Sequence, residues 1–355
     1  MKSNCYFAGG NTPRGFFSYY KELINPETAD YIYTIKGGPG VGKSTFMKKI
    51  AKTFEDKGIK VSKYYCSSDP DSLDAIKIDK PNIIFADGTF PHIIDPSFPG
   101  CFDNIINLGE YFNTDILKSH KEEIIDTTKK ISRYFSTAYK YLASVKPLYE
   151  NLNAMYEKSV NKEKFNSLVK SLAKEITDTK TGNGFKEKKM FLSAITPKGT
   201  VNFLEKTVNS GTVYILDSQI GDLTHSILLN LKEYLKVSGF ECECYYCPTE
   251  PTNKPEHIYL PELDTWVVTS NEYHKFNKDG IKIDTTSVYN EELIDKDIIE
   301  YDIKMIYELI KRAVYFIDKA KSTHDILESY YIKAMDYKKL NMFTDEFINK
   351  LCSYS

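Results

Sequence analysis

Two hydrophobic rhythms alternate along this chain. Short apolar runs rich in β-branched and aromatic residues lie at 31–35, 60–66, 83–87 and 105–108, and again at 241–247, 265–269 and 281–283. They read as strands. Between them, apolar residues recur at three- and four-residue spacing among lysines, as in Phe46, Met47, Ile50 and Phe54, which predicts an amphipathic helix. Further short strands are predicted around Phe7 and Phe191, each followed by a turn and a first helix. Strands alternating with helices predict an α/β fold, a parallel sheet wrapped on both faces.

The rhythm then changes. From about 112 to 178, and from about 295 to 351, Lys, Glu, Leu, Ile and Tyr recur at helical spacing. Each stretch predicts a long helical hairpin appended to its own core, with its apolar stripe packed against the other hairpin or a protein partner. Between them, 178–184 (Asp-Thr-Lys-Thr-Gly-Asn-Gly) is polar, carries glycine and lacks periodicity, which marks a linker.

Self-comparison explains why each pattern occurs twice. Residues 33–71 lie on 214–252 without a gap, at an offset of 181 (214 − 33). Tyr64, Tyr65 and Cys66 fall on Tyr245, Tyr246 and Cys247, and after one inserted residue His92 falls on His274. Thr12-Pro13-Arg14-Gly15 matches Thr196-Pro197-Lys198-Gly199, and Leu152-x-x-x-Tyr156 matches Leu327-x-x-x-Tyr331. The chain reads as a tandem duplication with domains 1–181 and 188–355.

The chemistry is concentrated in Gly37-Gly38-Pro39-Gly40-Val41-Gly42-Lys43-Ser44-Thr45, which fits the phosphate-binding pattern G-x-x-x-x-G-K-[ST] between a predicted strand and a predicted helix. Glycines let backbone N–H groups curl around a phosphate, and the helix N-terminus adds positive potential. Lys43 is placed to reach the β/γ-phosphates, and the Ser44 hydroxyl to ligate Mg²⁺. Asp87 ends an apolar strand where a Walker B carboxylate would hold the metal's hydration shell. In the loop 67–74, Asp69 and Asp71 are candidates for a general base, a second metal contact or a substrate-hydroxyl acceptor; helix capping by Asp71 or Ser72 is the plainer alternative. Thr89 could sense the γ-phosphate, and His92 could donate to phosphate or shuttle a proton, against a structural role for His92. Arg14 could clamp phosphate or base, against a role in a surface turn.

The second copy is an internal control. Lys43 corresponds to Thr224, Ser44 to His225, Gly37 to Ser218, Gly42 to Leu223 and Asp87 to Thr269. Counted without a gap, Asp71 corresponds to Thr252, Asp74 to Pro255 and Asp69 to Glu250. With no ammonium in place of Lys43 and a Cβ at Leu223, this copy is expected to bind no nucleotide triphosphate and to serve as a structural or regulatory partner.

Composition narrows the setting. A formal charge of −2 argues against a generally nucleic-acid-binding surface. No apolar run approaches the roughly 20 residues of a membrane span, and the N-terminus lacks a signal peptide's apolar core, so the cytoplasm is the expected compartment. Seven cysteines, an odd number, suggest reduced thiols. Cys242-x-Cys244-x-x-Cys247 is either a zinc cluster or a set of buried strand thiols. Gly88 stands where many hydrolysing ATPases carry Glu, and Asn253-Lys254-Pro255-Glu256 is a poor guanine-reading motif, so ATP is the expected nucleotide.

The glycine loop, the string Tyr64-Tyr65-Cys66-Ser67-Ser68-Asp69-Pro70-Asp71-Ser72-Leu73-Asp74 and the Asp87-Gly88-Thr89-x-Pro91-His92 motif together resemble a family of bacterial ATPases, common in Clostridium- and Bacillus-like bacteria, that carry tandem P-loop domains. The resemblance covers essentially the whole chain. It implies an ATP-binding tandem α/β protein with Lys43, Ser44, Thr45 and Asp87 at the nucleotide site. Members of that family often carry a similar loop in the second half too, and this chain departs there. The expectation is a Mg²⁺-dependent ATPase with one competent site. A small-molecule phosphotransferase and an ATP-gated scaffold with a protein partner stay open.

Overall fold

A strand covered on both faces needs apolar side chains on both, and 31–36 meets that condition with four consecutive buried residues between half-buried ends. The computed structural model describes residues 4–178 and 180–353, so one residue of the expected linker, Thr179, lies outside the described residues. The first half contains β1 (Cys5–Tyr6), β2 (Gly9–Thr12), β3 (Gly15–Ser18), α1 (Tyr20–Leu23), β4 (Tyr31–Lys36), α2 (Lys43–Asp56), β5 (Val61–Tyr65), β6 (Leu73–Ile78), β7 (Ile83–Asp87), β8 (Asp103–Asn107), α3 (Thr114–Ser119), α4 (Lys121–Ser159) and α5 (Lys162–Thr177). The second contains β9 (Glu187–Met190), β10 (Ser193–Thr196), β11 (Gly199–Asn202), α6 (Leu204–Thr207), β12 (Thr212–Asp217), α7 (Thr224–Val237), β13 (Cys242–Cys247), β14 (Glu250–Leu260), β15 (Thr265–Ser270), β16 (Ile281–Ile283), α8 (Lys296–Ala334) and α9 (Tyr337–Cys352).

Two six-stranded sheets form, ordered β1-β5-β6-β7-β4-β8 and β9-β13-β14-β15-β12-β16. Both are mixed, which corrects the expected all-parallel sheet. β6 and β14 run antiparallel to both neighbours, while the remaining pairings are parallel. The cause is local. After β5 the chain turns within a few residues, with Cys66 N donating to Ser72 O at 3.0 Å and Ser72 N to Asp69 O at 2.8 Å. That return is far too short for the crossover a parallel neighbour requires. The expected turns at 12–15 and 196–199 close the two-stranded hairpins β2-β3 and β10-β11.

The halves meet through the β1 and β9 edges. Phe7 and Phe191 exchange backbone hydrogen bonds at 3.0 and 3.2 Å, and Tyr6 stacks between Tyr64 and Tyr245 with ring centres 5.3 and 6.1 Å away.

The helical segments depart most from the expected hairpins on their own cores. The 39-residue helices α4 and α8 lie antiparallel against each other. Their ends are tied by Asn113 N to Ala334 O at 2.7 Å and by Asn290 N to Ser159 O at 2.8 Å. Ala138, Leu142 and Val145 of α4 and Ile306, Ala313 and Ile317 of α8 share one core. The short helices then exchange. α5 buries Val169, Leu172 and Ile176 in the core containing Leu228 and Leu231 of α7. α9 buries Leu340 and Leu351 in the core that holds Phe46 of α2 and Tyr33 and Phe85 of the first sheet. Each half's last helix therefore covers the other half's sheet. No helix among the described residues is long and apolar enough to cross a membrane.

Candidate functional site

β4 ends at Lys36 and α2 begins at Lys43, so the glycine stretch forms the turn between a buried strand and a helix N-terminus. Gly40 and Gly42 adopt φ of 69° and 93°, left-handed values that a side chain would strain. Lys43 opens α2 and folds back over the loop. Its Nζ donates to Gly37 O at 3.1 Å and Gly38 O at 2.9 Å, and lies 3.5 Å from Asp87 Oδ2. The Ser44 hydroxyl accepts a hydrogen bond from Leu73 N at 2.9 Å. Thr89 N donates to Asp87 Oδ1 at 2.8 Å, and its hydroxyl to Gly37 O at 3.0 Å. Lys43, Ser44, Asp87 and Thr89 are thus gathered around one turn. Val41 is buried beneath it, Pro39 is half-buried, and Thr45 is exposed on the first turn of α2.

Three sequence candidates fall elsewhere. Arg14 is half-exposed and pairs with Glu250 of the other half at 3.0 Å. Asp71, with 76% of its side chain exposed, pairs with Lys198, the counterpart of Arg14. These reciprocal contacts bind one half to the other. Asp69 accepts from Ser72 Oγ at 3.0 Å and lies 3.5 Å from Lys321 of α8, so its charge is already partnered.

The acidic group that does reach the centre is Asp74. Ala75 of β6 pairs with Ala86 of β7 in antiparallel register, which sets Asp74 opposite Asp87, and cross-strand neighbours share a face. Asp74 and His92 are 5% and 8% exposed, with Asp74 Oδ2 and His92 Nε2 3.4 Å apart. Burial pushes the Asp74 carboxyl above its usual range, against the opposing pull of His92 and Lys43. The second half repeats the arrangement. His257 pairs with Val268, and Glu256 Oε1 lies 3.6 Å from His274 Nδ1. The counterpart of Asp74 is therefore Glu256, because the inserted residue precedes β14's paired segment; the ungapped match to Pro255 is corrected.

The fold also brings in residues that local pattern did not suggest. A Cβ on Gly38 would come within 2.6 Å of the Tyr331 ring, and one on Gly40 within 3.0 Å of Ile332 and 3.2 Å of Glu328. Tyr337 Oη donates to Gly40 O at 2.9 Å. The end of α8 and the start of α9 thus form a wall over the first half's loop. The signal was present in the Leu-x-x-x-Tyr repeat. In the other half, a Cβ on Gly221 would meet Leu152 at 2.6 Å, and Tyr156 Oη donates to Gln219 Oε1 at 2.8 Å.

The second half's loop is satisfied from within. Asp222 stands where Val41 does, is 8% exposed, and accepts from Gln219 N at 2.7 Å, Thr224 N at 3.0 Å and the Thr224 hydroxyl at 2.6 Å. Lys254 of β14 lines the same cavity of about 50 Å³ with Asp222, His225, Glu256 and His274, and its Nζ lies 4.3 Å from the Tyr149 ring centre. Cys242 and Cys244 share a strand face with sulfurs 3.7 Å apart, while Cys247 contacts the Thr249 hydroxyl at 3.0 Å.

No family model, curated protein or solved structure matches this chain.

Proposed function

We propose that the first half is a P-loop nucleotide-binding domain that takes Mg-ATP and hydrolyses it slowly, and that the second half is a degenerate tandem copy. The observation that carries this reading is the Lys43 ammonium held over the glycine turn, 3.5 Å from Asp87. A triphosphate fits the residues present. Lys43 is held by two carbonyls and one carboxylate, partners that phosphate oxygens can displace. The turn's backbone carries no Cβ at Gly38 or Gly40, where one would meet the wall of α8. Ser44 and Asp87 would hold Mg²⁺, which would neutralise charge on the phosphates. In this reading the degenerate copy contributes through α8 and α9, which shield the loop from water, while Asp222 keeps its own loop closed to nucleotide.

Steady-state phosphate release and equilibrium ATP binding test this, comparing wild type with Lys43→Ala and Asp87→Ala. Wild type should bind Mg-ATP, and both variants should lose turnover by roughly 100-fold or more. Absence of ATP binding, or equal binding by Lys43→Ala, sinks the reading.

A further inference from the structure

Two imidazole nitrogens buried in the second half have no hydrogen-bond partner, His257 Nε2 and His274 Nδ1, in residues that are 0% and 3% exposed. Glu256, 6% exposed, stands with them. One ligand-type atom from each of Glu256, His257 and His274 lies within 4.8 Å of the other two. Neighbours along a regular strand point to opposite faces, so Glu256 and His257 would not ordinarily meet at one point. A bulge brings them together. Tyr245 pairs with His257 and Tyr246 with Pro255, which leaves Glu256 as the extra residue, and bulges re-aim side chains in this way.

The first half carries the same bulge, with Tyr64 opposite Ala75 and Tyr65 opposite Leu73, but not the same chemistry. Asp74 and His92 match Glu256 and His274, while Ala75 stands where His257 does. The third donor thus occurs in the copy that has Thr224 and Thr269 for Lys43 and Asp87. Two imidazoles and one carboxylate form a donor set that divalent transition ions favour. The spacing agrees. Two ligands about 2.1 Å from a tetrahedral ion lie roughly 3.4 Å apart, and Glu256 Oε1 and His274 Nδ1 are 3.6 Å apart. Glu256 and His274 also line the cavity of about 50 Å³, as does Tyr273, whose Oη is unpartnered, so a water has room at the ion's fourth position. Thr269 braces both rings. Its hydroxyl lies 2.8 Å from His274 Nε2, and its N–H donates to His257 Nδ1 at 3.3 Å.

We propose that Glu256, His257 and His274 bind a divalent transition-metal ion of the zinc type, which joins β14 to the segment after β15. His274 ligates through Nδ1, with its proton on Nε2 facing the Thr269 hydroxyl. Without the ion, the Thr269 N–H keeps the His257 proton on Nε2. The ion takes the Nε2 lone pair, and the proton moves to Nδ1 as that long hydrogen bond is given up. The site does not depend on the Mg-ATP reading.

The full chain, stripped with a chelator and dialysed, is titrated with Zn²⁺ and with Co²⁺. The readouts are metal per chain, melting temperature and the Co²⁺ spectrum. One ion should bind per chain and raise the melting temperature, and the Co²⁺ spectrum should show nitrogen and oxygen ligands with no sulfur charge-transfer band. Glu256→Gln, His274→Ala and His257→Ala, which restores the first half's residue, should each weaken binding by at least about 100-fold, the upper end of the cost of losing a ligand's support. Thr269→Val should weaken it about tenfold. His324→Ala, in the more open group His324, Asp325 and Glu328 of α8, and Cys247→Ser should keep wild-type affinity. If the ligand variants do not fold, Thr269→Val and the wild-type Co²⁺ spectrum decide. A stripped wild type that takes up no ion overturns the proposal. So does a sulfur band, loss of the ion in His324→Ala, or wild-type affinity retained by Glu256→Gln and His274→Ala.

Discussion

Single residues differ in how far their surroundings can be read from the chain. Lys43 and Ser44 sit in a local turn, so their spacing alone brings them to the helix N-terminus. Asp74 was visible as a carboxylate, but its placement opposite Asp87 depends on the register of β6, which no local pattern fixes. Asp222 shows how one carboxylate can satisfy a loop from within, accepting three hydrogen bonds from Gln219 and Thr224. Asp222→Ala should leave three donors unpaired and lower stability by on the order of 3 kcal/mol. Sulfate or phosphate should then raise the melting temperature of the variant more than that of wild type. An equal shift in both proteins would show that the carboxylate is not standing in for an anion.

At the level of elements, the decisive feature is the exchange of α5 and α9. An amphipathic stripe states that something must cover it, and the spacing of Leu340, Phe343, Phe347 and Leu351 announces a buried face. It does not state which sheet will do so. Phe347 lies 5.3 Å from Tyr33 and 5.7 Å from Phe46, ring centre to ring centre, so α9 is part of the first half's core. Leu351→Ala should therefore cost about 2–5 kcal/mol. Its effect should be local to the N-terminal half: hydrogen exchange should rise in β4 and α2 more than in β12 and α7. Faster exchange confined to the second half would contradict the exchanged packing. β6 was missed for a related reason. Leu73, Ala75 and Ile76 are apolar, yet they follow a polar turn so closely that the segment reads as more loop until its strand partners are known.

Across the whole molecule, acid sensitivity should be concentrated in the second half. Burial holds His257 well below the usual histidine range, pulls His225 down to about 4, and lowers His274 against the opposing charge of Glu256. The unfolded chain takes up protons near pH 6.5 that the folded chain refuses. The stability these neutral imidazoles carry is full above pH 6.5 and falls as pH drops below it, for His225 until about pH 4. Each fully buried imidazole contributes at most roughly 1.4 kcal/mol per pH unit. The buried carboxyls of Asp74 and Asp222 are raised, so they act in the opposite sense, gaining protons in the fold first as pH approaches the carboxylate range. Urea midpoints should accordingly be lower at pH 5.5 than at 7.5, and His225→Gln should flatten part of that slope. A midpoint unchanged between the two pH values would count against buried neutral histidines.

The sequence by itself determined what is local or periodic: most of the strands, the helix that opens at Lys43, the long amphipathic helices, and the matching of one half to the other. Each depends on spacing within about a turn or a strand, where backbone geometry leaves few choices. The tertiary structure decided what depends on partners far along the chain. It set the antiparallel β6 and β14 in mixed sheets, gave each sheet the other half's last helix, laid α8 over the glycine loop, and put Asp74 rather than Asp69 or Asp71 beside Asp87. Hydrophobic burial is non-directional, so a stripe or a strand specifies that it will be covered, while register and packing of the whole chain select the cover.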